Sequence, residues 1–254
     1  TGINGFADFN WFHFNNENAF KKAEAVSIPK KFEQPDRVRY DGKGMIIEGK
    51  EFFTYSAAFH YFRCPEELWR DRFKKIKEAG FNTVETYVPW NWHEREMPAN
   101  IDDYSKFDFT DLMAWLKMAH EEFGLYTIVR PGPFICAEWS GGGYPQWLAK
   151  YTPGKEEFWL RSADPEHVKW SQHWYKAVCE AVEKEQITRK AKGEKGIILF
   201  QIENEYNHDD SKNKEVLLKG LYKSVKENGI DVPMFTCLTQ ECRTSSDPEL
   251  SQVF

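Results

Sequence analysis

The 254-residue chain has little of what marks a disulfide-rich, metal-binding, nucleotide-binding or membrane-spanning protein. Its five cysteines, Cys64, Cys136, Cys179, Cys237 and Cys242, include no C-x-x-C pair. That excludes the usual zinc-knuckle spacing and a dense disulfide framework, and leaves the redox compartment open. His93-Glu94 is not a zinc motif, because H-E-x-x-H needs a second histidine where Met97 stands. No G-x-G-x-x-G follows the first predicted strand, which weakens a dinucleotide fold. Gly141 to Gly143 is not followed by Lys-Ser/Thr and opens no helix, so it reads as a flexible turn and not as a phosphate cradle. The longest largely apolar run, 196–202, is too short to span a bilayer. Basic charge is not in excess either: 34 Lys and Arg against 40 Asp and Glu give a net charge of −6. A nucleic-acid partner is therefore not expected.

What the chain does have is aromatic surface. Phe, Trp and Tyr make up 16% of it, with 10 Trp, inside a hydrophobic fraction of 41%. That fraction builds a real core. Aromatic faces also stack on sugar C–H patches, so the composition is compatible with a carbohydrate site without establishing one.

Residues 1–40 read as an N-terminal appendage and linker, punctuated by Pro29 and Pro35. Asp41-Gly-Lys-Gly44 is a turn, and 45–50 a short hairpin arm. From there strands predicted at 53–60, 81–88, 125–130, 196–205 and 232–238 alternate with helices starting at Pro65, 111–123, 165–184 and 215–228. The helix after Pro65 places Leu68, Trp69, Phe73, Ile76 and Ala79 at helical spacing and is closed by Gly80. Strict β-α alternation implies parallel strands with helices outside. The strand-to-helix connections are the long ones, as in a (β/α)8 TIM barrel with its function on the loops after the strands. We count five strands and the start of a sixth at 252–254. Residues 41–254 are thus expected to form about the first five to six strands of an α/β barrel. The remaining strands are expected from other residues or another chain.

Three stretches on those loops carry chemistry. In 196–205, read as a strand, Gln201, Glu203 and Glu205 share one face. Glu205, last in the strand, is expected at the rim, shielded from water and placed to protonate a leaving oxygen. Glu203 reads better as part of a buried network. Asn204 offers an amide donor to a substrate hydroxyl. In 130–148, Glu138 offers two acceptors to sugar hydroxyls, and Trp139, Tyr144 and Trp147 offer stacking surface. In 85–94, Tyr87 is placed to bond a ligand, Trp90 and Trp92 to wall a pocket, and His93 to support from behind. His60 and Arg63 are as readily structural as orienting. His13, His120, His167, His173 and His208 suggest no site.

Together "HYFRCPEELWRDRFKKIKEAGFNTVETYVPWNWHE", "RPGPFICAEWSGGGYPQWL" and "ILFQIENEY" resemble glycoside hydrolase family 35, the β-galactosidase family, in order and spacing across 41–254. One departure is Glu194-Lys195-Gly196 where the family has Gly-Gly-Pro. The resemblance implies a retaining exo-glycosidase acting on terminal β-galactosyl residues of a glycan, outside the cell or in the periplasm. It implies Glu205 as acid/base, and Tyr87, Cys136, Ala137, Glu138 and Asn204 as sugar contacts, with Ile135 close by. The family's nucleophile is a Glu after the seventh strand, to which no residue here corresponds, so these residues alone are expected to be inactive. No metal or organic cofactor is expected, since two carboxylates suffice. Other readings are a β-glycosidase for another sugar, such as a glucosaminide, and a non-catalytic sugar-binding barrel.

Overall fold

A computed structural model describes residues 30–155, 159–206 and 211–237. The elements below all belong to the unit Lys31–Phe254. His13, His208, Cys242, the strand start at 252–254 and most of the 1–40 appendage lie outside the described residues.

The first three strands, β1 (Val38–Tyr40), β2 (Met45–Ile47) and β3 (Lys50–Phe52), form an antiparallel sheet. The Asp41 carboxylate accepts the N–H groups of Lys43 (2.8 Å) and Gly44 (3.3 Å), which closes the turn between β1 and β2. Arg37 ties the start of this sheet to the body of the fold by donating to the carbonyls of Ile187 (2.6 Å) and Lys190 (3.1 Å).

That body is a five-stranded parallel sheet in the order β4 (Ser56–Ala58), β5 (Thr83–Tyr87), β6 (Tyr126–Arg130), β7 (Ile197–Gln201), β8 (Met234–Phe235). Helices α1 (Glu66–Glu78), α2 (Thr110–Lys117), α3 (Pro165–Val182) and α4 (Ser211–Glu227) fill the four crossovers. This is the α/β alternation expected from the sequence. Trp69 and Phe73, one turn apart, are the buried stripe of α1. Glu66 and Glu67 sit in its first turn and Lys75 and Lys77 in its last, each favoured by the helix dipole. Gly80, at φ 87°, ends it. The longest helix, α3, starts where the Asp164 side chain accepts the N–H groups of Glu166 (2.9 Å) and His167 (3.4 Å). It buries Trp170, Trp174, Tyr175 and Val178. Helix α2 is shorter than expected, its final turn widening over Met118–Glu122.

Two features of β7 matter for the site. Its pairing with β6 slips by one residue: Thr127 faces Ile197, but Ile128 faces Leu199 and Val129 faces Phe200. And the strand stops at Gln201, four residues short of the predicted end. Glu203 and Glu205 have φ of 56° and 47°, in the left-handed region that no strand tolerates. The expected alternation of Gln201, Glu203 and Glu205 on one face is therefore lost.

Candidate active site

Tyr87, Arg130 and Gln201 are the last residues of three adjacent strands, β5, β6 and β7. Parallel pairing sets Tyr87 beside Arg130. The Arg130 guanidinium lies 4.1 Å from the Tyr87 ring centre. It donates to Gln201 Oε1 (2.6 Å), Glu85 Oε1 (3.1 Å) and Asn204 Oδ1 (3.1 Å). Asn204 Oδ1 also accepts from the Tyr87 hydroxyl (3.2 Å) and from Gln201 Nε2 (3.1 Å). Three donors converge on one atom, and only a carbonyl oxygen can receive them, so the amide orientation follows from the network. Its NH2 group is left without an acceptor among the described residues. Burial raises the Tyr87 phenol above its ordinary pKa; Arg130 works against this, and the charges of Glu85, Cys237 and Glu205 add to it. His60, behind Tyr87, is pushed down to about 4 by burial, with Arg63 and Arg130 adding, and is neutral at pH 7.

Glu203 and Glu205 take opposite environments. The Glu203 side chain is 1% exposed and gripped by Arg161, whose Nε and Nη2 donate to its two oxygens at 3.0 and 2.8 Å. Burial raises its pKa, and Arg161 and the Asn204 N–H pull the other way. Glu205 is exposed, and its carboxylate has no hydrogen-bond partner among the described residues. The expectation that it is shielded from water is thus corrected: the left-handed turn carries it out of the sheet toward solvent.

The loop after β6 presents the other expected contacts. Ile135 is fully buried, Cys136 and Ala137 are half-buried, and Glu138 is exposed. Cys136, Ala137 and Glu138 run at φ 55°, 54° and 46°. The glycines that follow are structural, beyond a flexible turn. A Cβ on Gly142 would lie 2.2 Å from the Phe134 ring, and one on Gly143 2.9 Å from Ile135 Cγ1. Ile135 N–H closes the loop onto the Gly142 carbonyl (2.8 Å). Trp139 Nε1 donates to Asn91 Oδ1 (2.8 Å), and Asn91 Nδ2 to the Ser140 carbonyl (2.9 Å).

The structure thus brings Tyr87 and Asn204 into contact, with Glu205 next along the chain. No hydrogen bond joins 135–138 to them among the described residues. Trp90 is corrected from pocket wall to core, and His93 is a buried hydrogen-bonding residue. Trp90 is fully buried, stacked on Trp174 at 5.8 Å and bonded to Glu94 Oε2 (2.7 Å). His93 lies between the Tyr61 hydroxyl and the Asp108 carbonyl, both at 2.5 Å, and burial pushes it down to about 4. Arg130 and Arg161 escaped the sequence reading. A cation ending a strand one register step from Glu85 was a readable signal for Arg130. Nothing in sequence marks Arg161, 42 residues from its partner. Among the described residues no group of three or more His, Cys, Asp or Glu is placed to hold a metal ion.

Comparison with known proteins completes the description. The family model described as glycosyl hydrolases family 35 matches residues 44–252. β-Galactosidase 13 of Arabidopsis thaliana is 35% identical over 223 residues, covering 85% of this chain and 24% of its own length. Human β-galactosidase is 36% identical over 200 residues, covering 78% of this chain and 28% of its own. The exo-β-D-glucosaminidase of Pyrococcus horikoshii is 41% identical over 124 residues, 46% of this chain and 15% of its own. The chain therefore spans about a quarter, or less, of these relatives. Among solved structures, the exo-β-1,4-mannosidase Op5Man5 from Opitutaceae bacterium strain TAV5 shares the fold with a TM-score of 0.58 at 14% identity, over 89% of this chain and 40% of that one.

Proposed function

The chain belongs to glycosyl hydrolase family 35, and from that premise we propose that it supplies the acid/base side of a retaining exo-β-galactosidase site. Glu205 is the group that protonates the glycosidic oxygen and then draws a proton from the attacking water. Tyr87, Cys136, Ala137, Glu138 and Asn204, with Ile135 behind them, hold the terminal sugar of a galactose-containing glycan. Retention needs a second carboxylate about 5–5.5 Å from the first; none of the residues assigned here takes that role.

The observation that carries this reading is Asn204. Its oxygen accepts from Tyr87, Arg130 and Gln201, its NH2 has no acceptor among the described residues, and Glu205 is the adjoining residue. A donor for a sugar hydroxyl and a carboxyl without a hydrogen-bond partner among the described residues thus adjoin in sequence beyond the C-terminal end of β7, where such folds place their chemistry. Replacing Glu205 by Gln in the intact protein should lower kcat/KM on aryl β-galactosides with poor leaving groups by ~10²–10⁴-fold. Near-normal turnover by that variant would refute the assignment. The likeness to an exo-β-D-glucosaminidase favours a second reading, with the same acid serving another equatorial glycoside. Rates on paired aryl β-galactosides and β-glucosaminides separate the two.

A further inference from the structure

A non-glycine residue in the left-handed region is strained and persists only where its surroundings over-determine it. Three such residues meet behind the rim: Glu203, Glu205 and Arg161, the last at φ 65°. One guanidinium links them. Besides its two bonds to the Glu203 carboxylate, Arg161 Nη2 donates to the main-chain carbonyls of Asn204 (2.8 Å) and Glu205 (3.0 Å). Glu203 Oε2 in turn accepts the Asn204 N–H (2.8 Å). Every contact falls on the turn that carries Asn204 and Glu205.

Arg161 is itself anchored from two sides. Its N–H donates to His167 Nε2 (3.2 Å), in the first turn of α3, and the Tyr144 hydroxyl bonds the same nitrogen (2.8 Å). Its guanidinium carbon lies 3.9 Å from the centre of the Phe134 ring, in the loop that presents Cys136 to Glu138. A buried ion pair adds little stability over a well-packed apolar pair of similar volume, so stability alone does not account for this arrangement. What the pair uniquely supplies is a fixed main-chain path.

We propose that Arg161 and Glu203 act as a positioning pair, holding the left-handed turn so that the Glu205 carboxyl and the Asn204 amide keep the spacing that proton donation to the glycosidic oxygen requires. Neither touches substrate in this scheme. The proposal rests on the reading of Glu205 as acid/base.

The test uses leaving groups. In the intact protein, Arg161→Lys keeps a charge but loses the two-pronged grip. With 4-methoxyphenyl β-galactoside, which needs protonation to depart, kcat/KM should fall ~10²-fold; with the dinitrophenyl glycoside, which does not, it should fall by less than ~10-fold. The basic limb of the pH profile for the methoxyphenyl substrate should move as well. Glu203→Gln, which keeps shape and acceptor, should change the ratio in the same direction by roughly a tenth as much. Partial unfolding lowers both rates equally and leaves the ratio unmoved, so an unstable variant still answers. Equal losses on both substrates with an unmoved pH profile would overturn the proposal. Glu205→Gln is run beside them. If it leaves the ratio unchanged, the acid/base reading fails and the proposal with it. If it raises the ratio and Arg161→Lys does not, only the positioning role is refuted.

Discussion

Two polar networks in this molecule use the same kinds of side chain to opposite ends. One is sealed. Glu94 takes the Trp90 indole N–H on one oxygen (2.7 Å) and His173 Nε2 on the other (2.9 Å), and His173 Nδ1 meets the Ile101 carbonyl (2.7 Å). Both the Glu94 and His173 side chains are 0% exposed, under Trp174, Tyr104 and Phe107. The other is open. Glu85, Arg130, Gln201, Tyr87 and Asn204 are as densely bonded, yet Glu85 and Arg130 remain 25% and 14% exposed. Among the described residues the NH2 of Asn204, a residue only 2% exposed, has no acceptor, and the exposed Glu205 carboxylate has no hydrogen-bond partner. A buried network that satisfies every member fixes a core. One that leaves a donor and a carboxyl without partners among the described residues, at the C-terminal end of the sheet, is the place proposed above for the sugar.

The contrast can be broken at either end. In the sealed network, Glu94→Leu strips Trp90 Nε1 of its acceptor and His173 Nε2 of its hydrogen-bond partner. Each orphaned buried group costs about 1–3 kcal/mol, so urea unfolding should show a loss of several kcal/mol. A loss below about 1 kcal/mol would mean the network is not structural. At the open end, Asn204→Asp keeps an oxygen for Tyr87, Arg130 and Gln201, exchanges the NH2 donor for a second acceptor, and adds a negative charge that Arg130 faces at 3.1 Å. Melting temperature should hold while kcat/KM on β-galactosides falls about 10- to 100-fold, the cost of an unpaired sugar hydroxyl. Unchanged kinetics would take Asn204 out of the site.

A third measurement sharpens the sealed side through pH. His93 titrates at about 4 in the folded protein against 6.5 when free, because burial disfavours its cation. The unfolded chain therefore binds the proton more readily. The stability is complete above pH 6.5 and drains away as pH falls from 6.5 toward 4. Between pH 7 and pH 5 this one residue should cost about 2 kcal/mol. His93→Gln should show a correspondingly shallower pH dependence in urea titrations. Equal slopes would show that His93 does not titrate as the fold dictates.

The alternation of strands and helices was legible because it is written in local periodicity: Trp69 and Phe73 one turn apart in α1, Gly80 past its end, Asp164-Pro165 opening α3. Tyr87, Asn204 and Glu205 were legible as residues near the C-terminal ends of strands because each falls at the close of a predicted strand. What could not be read was direction. Treating 196–205 as one continuous strand put Glu203 and Glu205 on a shared face, and only the left-handed backbone at each separates a buried anchor from an exposed carboxyl. Trp90 misled for a related reason. An aromatic residue just past a strand can turn to the rim or to the helices, and the crossover geometry decides which. Arg161 was invisible because its partner is distant in sequence and near only in space.

The one-residue slip between β6 and β7 has a bearing on inheritance. In an unbroken ladder counted from Thr127 and Ile197, Arg130 would stand beside Phe200; with Leu199 opposite Ile128, it stands beside Gln201 instead. The identity of the neighbour is thus a matter of counting, fixed some three residues before the place where it is felt. Exchanging one aliphatic for another at the fully buried Ile198 leaves this count unchanged. Losing the slip at unchanged length would set a phenyl ring against the arginine and unmake the rim without altering any residue in it.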